Sequence, residues 1–215
     1  MTGAWRHSPG RYVRALLLAC LPVLSVFSLP SSALAATPPL NRVEMAALER
    51  DGLRPETLHK ALRAWREAAP AIRNRRFLTI IDFGLHSSKP RMFLVDTRTG
   101  RHQALLVAHG RGSDPDHDGW ATRFSNVDGS KMSSLGAYVT GRIYFGKHGM
   151  SLRLDGLDPS NSHARERAIV IHGASYVSDD RRVLGRSWGC PAIAPKYVKR
   201  LLPQLAGGSF LYIGK

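Results

Sequence analysis

Cysteine is scarce in this chain. The 215 residues include two, Cys20 and Cys190, which excludes a small scaffold stapled by several disulfides. Acidic side chains are few as well. Sixteen Asp and Glu stand against 31 Lys and Arg, a net charge of +15. Such an excess favours polyanionic partners. The basic residues are scattered, however, and no nucleic-acid motif accompanies them, so nucleic acid is not an expected partner. No His and Cys have the spacing of a zinc site, and no metal or cofactor is expected. Internal repeats and low-complexity segments are absent. The apolar run over residues 15–29 is too short for a comfortable transmembrane helix.

That run reads instead as part of a secretory leader. Arg6, Arg11 and Arg14 precede it, and Ala33-Leu34-Ala35 supplies a small-x-small cleavage site. Cleavage is expected after Ala35, giving a periplasmic or secreted protein with no stable membrane insertion. An uncleaved anchor, or lipidation at Cys20, is the weaker alternative. Loss of the leader removes Cys20 and three arginines, leaving about 180 residues, a charge of about +12 and Cys190 alone. That length suits one domain with its own core. Apolar content of 43 % and charged content of 22 % are those of a globular protein.

Residues 36–40 read as a linker. Helices are expected over 41–50 and 55–69, broken at Asp51-Gly52, with Pro55 in the first turn of the second. Leu58, Ala61, Leu62, Trp65 and Ala69 share one face of it. This suggests a helical hairpin packed on the domain C-terminal to it, with a separate recognition helix as the alternative. Beyond Pro70 the pattern turns to short strands, expected over 77–83, 91–95, 102–108, 136–140, 143–145, 151–154, 168–171 and 210–213. A short helix is expected over 195–205. The fold class is therefore mainly β, a β-rich α+β barrel or sandwich. The division expected is 1–35 leader, 36–76 linker and helical segment, 77–215 β-rich domain.

The most informative stretch is AIVIHGASYVSDDRRVLGRSWGCPA, residues 168–192. His172 ends an apolar strand, and Ser187-Trp188-Gly189-Cys190 comes after fourteen residues. An unpaired Cys in an exported chain is idle or reactive. The thiolate is the nucleophilic form, and a nearby imidazole helps to generate it. Gly173 would let the backbone turn away from His172 and open space. The N–H groups of Trp188, Gly189 and Cys190 are candidates for an oxyanion hole. Ser187 would hold the loop or orient His172. A reactive Cys190 is expected to alkylate quickly below pH 7.

This arrangement resembles the murein L,D-transpeptidase (YkuD-like) family, whose signature is His-Gly, a loop, then Ser/Thr-x-Gly-Cys. The resemblance extends to the murein L,D-transpeptidase catalytic domain branch through residues 107–113, 123–140, 144–161, 167–177 and 185–195, and covers about 77–213. It implies a peptidoglycan acyltransferase. Cys190 would attack the stem tetrapeptide with His172 as base, D-Ala would leave, and an amine would capture the thioester in a 3-3 cross-link. Water as acceptor would make it an L,D-carboxypeptidase. A non-catalytic murein-binding module is a further alternative. The regions around Tyr138, Lys147 and His148 would line the substrate groove, with Lys147 on a peptide carboxylate. Relatives often carry His where Trp188 stands and Arg where Ala192 stands; Arg186 is the candidate to take over the role of that Arg. His109 belongs to a network near the site or caps a strand. Residues 114–119 mimic a calcium loop, but Ser125 occupies the position of its bidentate Glu, so an acidic surface turn is expected.

Overall fold

The fold begins with a helix cap. In this computed structural model, which describes residues 39–215, the Asn41 side chain accepts from the backbone N–H groups of Val43 and Glu44, while Glu44 accepts from that of Asn41. This reciprocal box starts helix α1 (Arg42–Arg50). Helix α2 (Pro55–Glu67) opens on Pro55, whose missing N–H costs nothing there. It buries Leu58, Ala61, Leu62 and Trp65 as the spacing predicts, whereas Ala69 lies past its end and is only partly buried. The leader, its cut site and Cys20 lie outside the described residues. Among the described residues no helix is long and apolar enough to cross a membrane.

Nine strands form one sheet. They are β1 (Asn74–Asp82), β2 (Met92–Asp96), β3 (His102–Leu105), β4 (Val107–Ala108), β5 (Gly136–Gly146), β6 (Gly149–Gly156), β7 (Val170–Gly173), β8 (Ala192–Ile193) and β9 (Ser209–Gly214). Helix α3 (Pro195–Leu205) connects β8 to β9. The strand order is β3-β2-β1-β9-β5-β6-β7-β8-β4. The two outermost strands, β3 and β4, are consecutive in the chain and separated only by Leu106. The sheet therefore curls until it is nearly closed, and the β-rich, barrel-like expectation holds.

Side-chain alternation sends the two faces into different cores. Leu78, Ile80 and Phe210 pack with Leu58, Leu62 and Trp65 of α2, and the Trp65 ring meets Phe210 edge-on at 5.4 Å. Phe77, Ile81, Leu211 and Ile213 face the opposite way and join Val198, Leu201, Leu202 and Leu205 of α3. The helical hairpin is thus the outer layer of the domain. Arg54 fastens it, donating through Nε and Nη2 to the fully buried Asp82 carboxylate at 2.9 and 2.7 Å. Asp82 also accepts from the Gly84 N–H, so the buried charge is both paired and hydrogen-bonded.

Several boundaries differ from expectation. The strand expected over 102–108 breaks at Leu106, where the sheet changes edge. The strands expected over 136–140 and 143–145 are one strand, β5, with a register shift between Thr140 and Ile143. The strand expected from Ala168 starts at Val170, because Ala168 has φ 52° and turns the chain. The two-residue β8 carries too few residues to show a period.

Candidate active site

Strand pairing brings the two halves of the motif together. Strands β7 and β8 run parallel, with His172 opposite Ala192 and Gly173 opposite Ile193. Cys190 lies just before β8, so its loop enters the sheet beside His172. Both side chains line one cavity of about 520 Å³, together with Tyr144, Lys147, His148, Arg167 and Trp188. The β5–β6 hairpin overhangs this cavity through residues 144–148.

His172 is 2 % exposed. Its Nδ1 lies 3.0 Å from the Gly173 carbonyl oxygen. A carbonyl only accepts, so Nδ1 carries the proton of the neutral ring and Nε2 is left with its lone pair. The His148 ring stacks on the His172 ring at 4.3 Å and 23°. Burial lowers the His172 pKa. The Gly173 carbonyl opposes this, and the His148 and Lys147 charges reinforce it. Gly173 does not turn the chain away. It continues β7, and a Cβ there would meet Val198 Cγ2 of α3 at 2.8 Å. The absence of a Cβ there lets α3 pack close.

Cys190 is partly exposed and is the free cysteine among the described residues. Burial raises its pKa, while the Val170 and Cys190 backbone N–H groups and the Arg167 and Lys147 charges pull it down. Both directions favour a neutral thiol and a neutral imidazole over the charged pair. The sulfur lies 3.6 Å from the Ala168 carbonyl oxygen, to which the thiol can donate.

The loop before Cys190 is held from within. Ser187 Oγ donates to the Cys190 carbonyl at 2.6 Å and accepts from the Gly189 N–H at 3.0 Å. Ser187 thus braces the turn and does not orient His172. The same bond engages the Gly189 N–H, one of the three candidate oxyanion donors. The N–H groups of Trp188 and Cys190 make no hydrogen bond to another described residue. Gly189 has φ 125°, and a Cβ would lie 2.7 Å from the Met132 carbonyl oxygen. Only glycine satisfies both conditions.

A buried polar network supports this loop from below. Arg91, His109 and Asp114 are all sequestered. Arg91 Nη2 lies 2.7 Å from His109 Nδ1, and His109 Nε2 lies 3.2 Å from Asp114 Oδ2. The His109 carbonyl accepts from the Ser187 N–H, and the Ser187 carbonyl accepts from the Arg111 N–H. Ser133 Oγ accepts from the Gly110 N–H and donates to the Gly189 carbonyl. Of the two roles open to His109, the network is the one observed. Residues 115–118 are an exposed acidic turn, as expected, but Asp114 at its start is buried, and its carboxylate also accepts from the N–H groups of Asp118 and Gly119. Among the described residues no group of three or more His, Cys, Asp or Glu is arranged to hold a metal ion.

The remaining candidates divide clearly. Lys147, His148, Trp188 and Arg186 line the cavity. Tyr138 does not. It is 0 % exposed, and its hydroxyl donates to the Ser134 carbonyl at 2.9 Å; alternation along β5 turns it inward. Arg186 donates to the carbonyl oxygens of Asp114 and Pro115. Arg167, not singled out from the sequence, donates to those of Ser125 and Met132 at 2.8 and 2.6 Å. These two arginines brace the loops around Cys190 where Ala192 supplies no guanidinium. The signal available for Arg167 was its place in the segment 167–177.

The chain belongs to the L,D-transpeptidase catalytic domain family, whose model matches residues 49–213. The match takes in α2 as well as the sheet. Among solved structures it is similar to an L,D-transpeptidase from Mycobacterium smegmatis, at 10 % identity over 65 % of this chain and 59 % of that one, TM-score 0.43. L,D-transpeptidase 3 from Mycobacterium tuberculosis is 8 % identical over 65 % and 61 %, TM-score 0.44. An L,D-transpeptidase from Xylanimonas cellulosilytica is 16 % identical over 79 % and 75 %, TM-score 0.39. This chain spans about three fifths of the length of the mycobacterial structures. No curated protein matches it by sequence.

Proposed function

We propose that this protein is a periplasmic or secreted L,D-transpeptidase acting on peptidoglycan stem peptides, with its chemistry carried by residues 77–215. The observation that carries the mechanism is the hydrogen bond between His172 Nδ1 and the Gly173 carbonyl. It leaves Nε2 as the basic nitrogen in the cavity that Cys190 lines.

Cys190 Sγ attacks the carbonyl carbon of the diamino acid residue in a tetrapeptide stem, and His172 Nε2 takes the thiol proton. The backbone N–H groups of Trp188 and Cys190 donate to the oxyanion, a contribution of about 3 kcal/mol per donor in such sites. Collapse of the tetrahedral intermediate breaks the amide bond. The imidazolium returns its proton to the leaving nitrogen, and D-Ala departs. An amine of a second stem attacks the thioester, His172 takes its proton, and the thiol is restored with a 3-3 cross-link. Water in place of the amine gives the tripeptide, the carboxypeptidase outcome. Ser187 acts through the loop and touches no reacting atom.

The test is mass spectrometry of purified disaccharide-tetrapeptide incubated with the protein and with Cys190→Ala. A dimer lacking one D-Ala, sequenced as 3-3 linked and absent with the variant, is expected. Tripeptide alone would make the protein a carboxypeptidase. A dimer joined through another donor residue would overturn the assigned register. Intact tetrapeptide would favour a murein-binding module.

A further inference from the structure

The cavity beside Cys190 contains no acidic side chain. Lys147, Arg167 and Arg186 line it, and none of them forms an ion pair among the described residues. Arg167 and Arg186 are held by backbone carbonyls, which fix their positions without neutralising their charge. At the rim, Trp188 is 64 % exposed. The Lys131 ammonium lies 5.0 Å from its ring centroid and the Lys147 ammonium 5.3 Å. The indole thus attracts two ammonium groups to one ring.

Lys131 is not there by drift. Its φ of 56° is left-handed, which is unfavourable for a long side chain. Neighbouring bonds impose it: the Gly112 N–H donates to the Lys131 carbonyl at 2.9 Å, Arg167 to the Met132 carbonyl, and the Ser133 N–H to Ser113 Oγ. The backbone brings this lysine to the indole, which lines the cavity, and the β5–β6 hairpin brings Lys147, a lining residue itself.

We propose that Lys131, Trp188 and Lys147 form a carboxylate subsite through which the protein selects stems with free side carboxyl groups over stems in which these are carboxamides. The inference rests on the reading of the Cys190 cavity as the stem-binding site. A carboxamide has nearly the shape of a carboxylate and lacks its charge, so discrimination must come from cations. Two ammonium groups within reach of one indole ring supply them, and the ring offers an apolar surface to the neighbouring methylene groups.

Binding is measured by calorimetry on the protein carrying Cys190→Ala, with matched disaccharide-tetrapeptides in free-acid and carboxamide form. The free acid is expected to bind roughly tenfold tighter. In a Lys131→Gln/Lys147→Gln background the ratio should fall to within about twofold, and Lys131→Arg/Lys147→Arg should restore it, because charge and stacking survive. Equal affinities before substitution, or a ratio that persists in the Gln pair, would overturn the proposal. Release of D-Ala by the unsubstituted protein is followed separately. Selective binding without release would refute the catalytic role of Cys190 and leave the subsite standing. Release with equal affinities would do the reverse.

Discussion

Arg91 and His109, neither exposed by more than 1 %, meet at 2.7 Å through a nitrogen of each. Arginine only donates, so His109 Nδ1 must accept, and Nε2 must carry the hydrogen it gives to Asp114. The tautomer is dictated by its neighbours. Protonating this ring would set an N–H against a guanidinium. Burial and the Arg91 charge accordingly lower the His109 pKa to about 4.

Stability should therefore fall in weak acid. In the unfolded chain His109 regains its ordinary value near 6.5, so the unfolded state binds a proton first as pH drops. The contribution is intact above pH 6.5 and is lost as pH falls towards about 4. The loss is on the order of 2–3 kcal/mol. His172, also lowered by burial, adds in the same direction. Urea unfolding at a series of pH values measures this. A flat profile between pH 7 and 4.5 would contradict it, and His109→Ala should flatten part of the slope while taking one of three partners from Arg91.

Thiol reactivity should follow a different curve. Burial holds the Cys190 thiol above its ordinary pKa, so iodoacetamide labelling should climb through pH 7–9 with no acid plateau. Rapid labelling below pH 7 would show a thiolate–imidazolium pair instead. Turnover, limited by free His172 base, should have an acid limb with its midpoint below 6.5. His172→Ala should cost turnover far more than labelling.

The loop can be weakened in two graded steps. Ser187→Ala removes the bridge between the Gly189 N–H and the Cys190 carbonyl. It should lower kcat about tenfold for about 1 kcal/mol of stability. Gly189→Ala adds a Cβ against the Met132 carbonyl at φ 125°. It should lower kcat about 100-fold and stability by about 1–3 kcal/mol. Single-turnover rates measured beside thermal melts separate the two effects.

Tyr138→Phe distinguishes an interior residue from a groove residue. The lost hydroxyl leaves Ser134 short of a partner, and a cost of about 1 kcal/mol is expected. KM should stay within twofold. A large rise in KM would place Tyr138 in contact with substrate after all.

Much of this architecture was legible in local pattern. Pro55 and the apolar stripe of α2, and the limits of α3, obey short-range rules that tertiary structure did not override. The errors arose where two segments remote in sequence compete for one backbone group. Gly189 looked like an oxyanion donor because Ser-x-Gly-Cys does not reveal which way the Ser187 hydroxyl folds. Gly173 looked like a hinge because nothing nearby announces Val198 pressing on it. Tyr138 looked accessible because a polar tip beside glycines resembles a strand edge, and the curl of the sheet that turns it inward depends on pairing with β9 and β6.

The sequence by itself determined the β-rich class, the candidacy of His172 and Cys190 and the cationic composition, because spacing, residue type and charge survive any folding. Tertiary structure alone decided the protonation chemistry. A tautomer is set by which carbonyl or guanidinium faces each ring nitrogen, and a thiol pKa by how much water is removed around it. Both depend on groups that meet only when β4, β7 and β8 come together in the closing sheet.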